Sequence, residues 1–213
     1  MSETSDLFEV VLTMRAMRRL KPDPVPEALI AKILRAGVCA PNGGNTQRWR
    51  FLVVKDARIK QAVQAYYKRA FDEVVGPRYL KSAPPPGVSR EAYDRQHAAV
   101  EYLTDHFHEA PVWIVACLEE GTTPPTRWSG ASIYPAVQNM VLAARALGLG
   151  TTLTTRHMLF EKEADKALGL PEGVHSYAIL PIGWPMGKFG PVKRAPLAEV
   201  VYQDRWGAPY RAA

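Results

Sequence analysis

Six consecutive apolar residues, Val112-Trp113-Ile114-Val115-Ala116-Cys117, several of them β-branched, read as a strand buried in an interior. Such a strand needs other elements to cover it. Short β-prone segments at 51–54, 151–155 and 176–182 join it, and patterns of helical period lie between and around them. Asp6 caps a first helix with Leu7, Val10, Val11 and Met14 on one face. Pro26 opens a second helix, which carries Leu29, Ile30, Ile33 and Leu34 and ends at Gly37. Further helices are expected over 58–75, 91–107, 132–147 and 161–168, the third of these four closed by Gly148 and Gly150. The sum is an α+β fold, a sheet layered by helices, in a single domain spanning 1–213.

Two stretches depart from this pattern. Residues 76–87, with Pro84-Pro85-Pro86-Gly87, should not continue a helix, and 68–108 as a whole reads as a lid or insertion over the core. The tail, 183–213, mixes prolines with Trp184, Phe189, Trp206 and Tyr210. It is expected to wrap another surface, that of a second subunit in a symmetric dimer.

Composition narrows the function classes. The hydrophobic fraction of 47% and charged fraction of 23% are globular values. The net charge is +6, but the Lys and Arg residues are scattered without a basic run interleaved with aromatics, so nucleic acid is not the expected partner. Small anions suit such a chain better. No apolar run approaches membrane-spanning length and Met-Ser-Glu-Thr-Ser-Asp lacks a targeting pattern, so the expected location is the cytoplasm, with no membrane partner. Cys39 and Cys117 have neither metal-ligand nor disulfide spacing and are both expected in the core; the five histidines form no metal-spaced set either.

The chemistry-bearing stretches are polar and cationic. Arg15-Ala16-Met17-Arg18-Arg19 holds too many arginines for a buried face and makes either a solvated surface or an anion clamp. The loop Ala40-Pro41-Asn42-Gly43-Gly44-Asn45-Thr46-Gln47-Arg48-Trp49 offers amides, hydroxyls and a backbone that a flat ligand can approach closely, or else it is a polar turn. Phosphate-loop, dinucleotide-fingerprint, nucleophile-elbow and zinc-protease motifs are absent, and no catalytic triad can be assembled. An enzyme of this kind would take its chemistry from a cofactor.

In their order, these motifs resemble the opening of the nitroreductase family of flavoproteins. Gln138 to Thr152 is similar to that family's central helix and the strand after it, and Lys193-Arg194-Ala195-Pro196 to its closing segment. The resemblance implies a homodimeric α+β fold with a helix-flanked, mainly antiparallel sheet, binding FMN at the subunit interface. NADPH or NADH would reduce the flavin, which would pass electrons to a nitroaromatic, quinone or similar planar acceptor by a ping-pong mechanism. By family position, Arg15, Ala16, Met17, Arg18 and Arg194 would form the phosphate end. Pro41, Asn42, Gly43 and Gln47 would meet the ribityl or ring edge, and Leu153, Thr154 and Thr155 would lie along the ring, with Thr155 near N5. No metal is implied.

The chain also departs from the family pattern. Met14 and Ala16 stand where the family usually has an arginine and a serine, Asn42 replaces the commoner serine, and Arg48, expected to face solvent, replaces a proline. A dehalogenating or flavin-consuming branch of the fold is the alternative activity; a flavin-binding protein without turnover is the alternative outside enzymes.

Overall fold

The computed structural model describes residues 6–210. Residues 1–5, which hold most of the segment read for a targeting pattern, and 211–213, the end of the tail, lie outside the described residues. In chain order the helices are α1 (Leu7–Thr13), α2 (Glu27–Val38), α3 (Ala57–Ala70), α4 (Gly76–Lys81), α5 (Arg90–His106), α6 (Arg127–Ala146), α7 (Glu161–Ala167) and α8 (Leu197–Val200). The strands are β1 (Trp49–Val54), β2 (Val112–Glu119), β3 (Gly150–Thr151) and β4 (Val174–Gly183), in the spatial order β1-β2-β4-β3 with every pairing antiparallel. No helix among the described residues is long and apolar enough to cross a membrane.

β2 is buried from Val112 to Leu118, and because strand side chains alternate between faces it divides the core in two. Val112, Ile114, Ala116 and Leu118 pack with Ile30 and Ile33 of α2 and with Ile133, Val137 and Met140 of α6. Trp113, Val115 and Cys117 pack on the other face with Val63 and Tyr67 of α3, and with Leu103 and Phe107. There Tyr67, Phe107 and Trp113 stack at centroid separations of 4.2 Å, and the Trp113 indole N–H donates to the Phe107 carbonyl at 3.0 Å. Gly37 lets α2 approach α6: a Cβ there would lie 2.8 Å from Met140 Cγ.

Several elements differ from the sequence reading. α3 ends at Ala70, but winding continues through a π-turn at Phe71–Val75 into α4, across Gly76-Pro77. Pro77 sits in the first turn of α4, where its missing N–H is not needed, and the wider turn before it accommodates the ring. The tight helix stop comes only at Ser82. α6 begins five residues before Ser132 because Thr126 and Ser129 form a capping box, and it carries Pro135 in its interior. Regular pairing at the edge covers Gly150–Thr151 instead of 151–155; it resumes as a bridge from Thr154 to Ile179 in the same register. Cys39 is exposed as the cap residue after α2, so only Cys117 belongs to the core. α5, within the region read as a lid, buries Tyr93, Val100 and Leu103, whereas Leu80 at the end of α4 is 88% exposed.

The start and the end of the chain cross beside β3. Met17 N–H donates to the Thr151 carbonyl at 2.9 Å, Lys21 N–H to Trp184 at 2.8 Å and Met186 N–H to Arg19 at 3.0 Å. Gly150 makes this crossing possible, since a Cβ there would lie 2.8 Å from Leu20 Cδ2 and 2.9 Å from Met17 Cβ. Gly150→Ala is therefore expected to destabilise the fold by about 1–3 kcal/mol, read as a lower urea midpoint at unchanged slope.

A second consequence concerns His157, which is fully buried, with Nε2 3.0 Å from Ser176 Oγ while Ser176 in turn donates to Asp165. Burial pushes its pKa down from 6.5 to about 4. Between those values the unfolded chain binds a proton that the folded protein refuses, so stability falls as pH drops through this window, by up to roughly 3 kcal/mol. Burial raises the Asp165 pKa and acts in the opposite direction. The difference between wild type and His157→Gln in denaturant titrations from pH 7 to pH 4 isolates the histidine, and the variant is expected to show the flatter profile.

Candidate functional site

The crossing beside β3 builds a cationic pocket. α1 ends at Thr13 with Met14 as its cap, and the chain continues extended with Met17 and Leu20 buried against the sheet edge, while Arg15 and Ala16 stay exposed and Arg18 is half-buried. The returning tail is tied to α1 by the Val192 N–H, which donates to the Leu12 carbonyl at 3.1 Å, and Arg194 follows two residues later. Arg15, Arg18 and Arg194 consequently meet around a cavity of about 260 Å³, whose remaining wall includes Gln138, Thr151 and Leu153. Among the described residues no carboxylate lines it, and none of the three guanidinium groups pairs with one. Thr151 Oγ1 is buried there without a hydrogen-bond partner. Three uncompensated forked donors and an orphaned hydroxyl are suited to a multiply charged oxyanion.

Leu153, 42% exposed, also borders a neighbouring cavity of about 520 Å³, together with Thr154, Thr155, Arg156, Val75 and Tyr79. The Thr154 N–H is already engaged by the Ile179 carbonyl at 3.1 Å, and its hydroxyl lies 3.0 Å from that of Tyr67, whose pKa burial raises. Among the described residues neither the N–H nor the hydroxyl of Thr155 meets an acceptor. Of the two threonines in this stretch, Thr155 is the one with donors to spare.

Pro41, Asn42 and Gly43 lie elsewhere, lining a cavity of about 560 Å³ with Trp49, Trp128 and Ser132. Ser132 precedes Gln138 by six residues on α6, so the two cavities are offset by about 9 Å along that helix. The loop is internally braced: Gln47 N–H donates to Asn42 Oδ1 at 2.9 Å, Gly43 N–H to Ser132 Oγ at 3.2 Å, and Gln47 Nε2 to Asn45 Oδ1 at 3.3 Å. Gly44, Asn45 and Gln47 have φ of 60°, 52° and 50°; this left-handed region is costly for the two non-glycine residues. Arg48 is exposed at the rim.

Five of the residues read from sequence thus share the arginine pocket: Arg15, Ala16, Arg18, Leu153 and Arg194. Thr154 and Thr155 border the adjoining cavity; Pro41, Asn42 and Gly43 belong to the third; Met17 is buried core and Gln47 an exposed loop brace. Gln138, Thr151 and Arg156 were not singled out as site residues. Their signal in the sequence is slight, since Gln138 is one exposed position on a helix and Thr151 one of four threonines in a β-prone run. Glu161 and Asp165, one turn apart on α7, also come together with His175 of β4, with ligand-type atoms within 4.8 Å of one another. There His175 Nδ1 already contacts Glu161 at 2.9 Å and Asp165 accepts from Ser176.

Comparison with known proteins agrees with this architecture. Residues 12–184 match the Nitroreductase family model. An NADH dehydrogenase of Thermus thermophilus is 30% identical over 211 residues, covering 92% of this chain and 95% of the relative. Among solved structures, an oxidised iodotyrosine deiodinase bound to FMN and 3-iodo-L-tyrosine superposes with a TM-score of 0.71 at 24% identity, covering 94% of this chain and 99% of that one. A nitroreductase with bound FMN from Desulfitobacterium hafniense gives 0.69 at 21% identity, covering 93% and 98%. The chain belongs to the nitroreductase family and has the fold of its FMN-binding flavoprotein oxidoreductases.

Proposed function

We propose that this protein is an FMN-dependent oxidoreductase that draws electrons from NADPH or NADH and delivers them to a planar nitroaromatic or quinone-type acceptor by a ping-pong mechanism. The observation that carries the reading is the acid-free pocket with Arg15, Arg18, Arg194 and the unpartnered Thr151 hydroxyl. An FMN phosphate matches that donor set in charge and in hydrogen-bonding capacity. FMN, when bound, supplies the two-electron exchange between nicotinamide and acceptor.

The residues around it have separable tasks. The three arginines hold the phosphate end, and Gln138 offers an amide to the polar chain. Leu153 presents an apolar side chain to the ring. Thr155, with its donors free, holds a proton toward the ring edge where electron density grows on reduction, and so tunes the potential.

The reading calls for a second copy of the chain on two counts. The Pro41–Gly43 loop sits apart from the arginine pocket within one chain, and a symmetry-related copy would bring its own loop to it. Apolar side chains that such a partner would cover stand uncovered at both ends of the chain: Phe8 is 71% exposed on α1, Leu197 66% on α8 and Trp206 89% in the tail. The tail would then embrace the partner subunit.

The test begins with FMN added to the purified protein and removed by desalting. A flavin double band that stays with the protein and bleaches on anaerobic addition of NADPH or NADH is expected; protein that keeps no flavin contradicts the reading. Arg18→Ala and Arg194→Ala each remove a charge-assisted bond of about 1.5–3 kcal/mol, so FMN affinity should fall roughly tenfold to a hundredfold. Unchanged affinity in both variants would show that the phosphate lies elsewhere.

A further inference from the structure

The geometry points to Arg156 as the residue that selects acceptors carrying an anionic substituent, a carboxylate or phenolate on a planar aromatic ring. This rests on the proposed function and names the acceptor class of the same site. Arg156 opens the short 3-10 turn Arg156–Phe160 directly after Thr155, and the residue lines the 520 Å³ cavity with Leu153 and Thr155.

Its guanidinium is held in a fixed plane. The central carbon lies 4.3 Å from the Tyr67 ring centroid and 5.0 Å from that of Phe71, and one N–H donates to Thr104 Oγ1 on α5. What the site lacks among the described residues is a counter-charge: no acid lines the cavity, and Arg156 pairs with no carboxylate. The residue is half-buried, and burial works against its charge, as does the nearby Arg18. An arginine nonetheless stays protonated, so the cavity wall carries a partly desolvated cation with donor capacity beyond its single bond to Thr104.

A residue needed only to tie α5 to α3 would be expected at a closed contact, yet Arg156 lines open volume whose other walls are largely apolar, from Val75, Leu153, Met158 and Leu159. Apolar walls with one fixed cation are the arrangement that orients an aromatic anion. Adjacency decides which anion. Arg156 and Thr155 have neighbouring Cα atoms, about 3.8 Å apart, so a ring stacked beside Thr155 presents its own substituents to Arg156. The phosphates of a nicotinamide dinucleotide lie farther from its reacting ring.

The experiment titrates oxidised holoprotein with 4-nitrobenzoate and with its neutral counterpart 4-nitrobenzamide, following the flavin absorbance change, which needs no turnover. Wild type is expected to bind the benzoate at least tenfold more tightly. Arg156→Gln should abolish that preference while leaving the amide within about twofold, and Arg156→Lys should retain most of it. Equal affinity of wild type for the two ligands, or equal weakening of both in Arg156→Gln, would overturn the assignment, the latter by showing a purely structural clamp. The wild-type comparison stands even if the glutamine variant fails to fold. Slower flavin reduction of Arg156→Gln by NADPH but not by NADH, with the benzoate preference intact, would also overturn it, by assigning the cation to the donor's phosphate. Should the protein retain no flavin, the proposed function fails on its own; calorimetric titration of the flavin-free protein with the same ligand pair then decides Arg156 separately, an Arg156-dependent preference supporting it and none overturning it.

Discussion

The pairing of β2 with β4 organises everything else in this molecule. Both strands are buried along nearly their whole length, and the antiparallel register from Val112–Ile182 to Glu119–Val174 holds alternate side chains in two separate apolar clusters. Each fully buried aliphatic or aromatic side chain contributes about 1.5–3 kcal/mol relative to exposure. Surface ion pairs such as Arg69–Glu73 and Lys68–Asp105, with both partners about half exposed, contribute about 0–1 kcal/mol each. Burial on two faces, not surface charge, therefore sets the positions of α2 and α6 on one side and α3 and α5 on the other.

The candidate site arises where that sheet ends. β3 is an edge, and the unpaired backbone of an edge strand takes up whatever extended segment comes within reach. Here the segment after α1 does so through the Met17–Thr151 hydrogen bond, and the tail then pairs with that segment in turn. Arginines distant in sequence are thereby gathered around Thr151 with no acid among them. The same continuous register carries the chain past Leu153 to Thr154, whose polar groups are consumed internally, and leaves Thr155 and Arg156 facing the adjoining cavity.

Much of this was legible in the sequence. The 112–117 run, apolar throughout and rich in β-branched residues, read as a buried strand and is one, and the arginines of 15–19, too many for a buried face, read as a solvated surface or an anion clamp. What sequence periodicity could not resolve was set by local hydrogen bonding or tertiary contact. The Thr126–Ser129 capping box starts α6 early, the π-turn carries winding past Pro77, and Cys39 caps a helix end in solvent instead of packing inside. The family motifs grouped Pro41–Gly43 with the arginines, while one folded chain keeps them in different cavities; a motif says that residues share a function, not that one copy brings them together. Arg156 was overlooked because its meaning lies in the absence of a counter-ion, which only the fold displays.

The central claim is that the arginine pocket exists to hold the phosphate of FMN. Equilibrium binding of FMN and of riboflavin, which lacks only that phosphate, tests it most directly. The account predicts that FMN binds at least a hundredfold more tightly, since several charge-assisted bonds of about 1.5–3 kcal/mol each depend on the phosphate, and that added salt narrows the gap. Equal affinities would contradict it and leave the unpaired arginines beside β3 without their ligand.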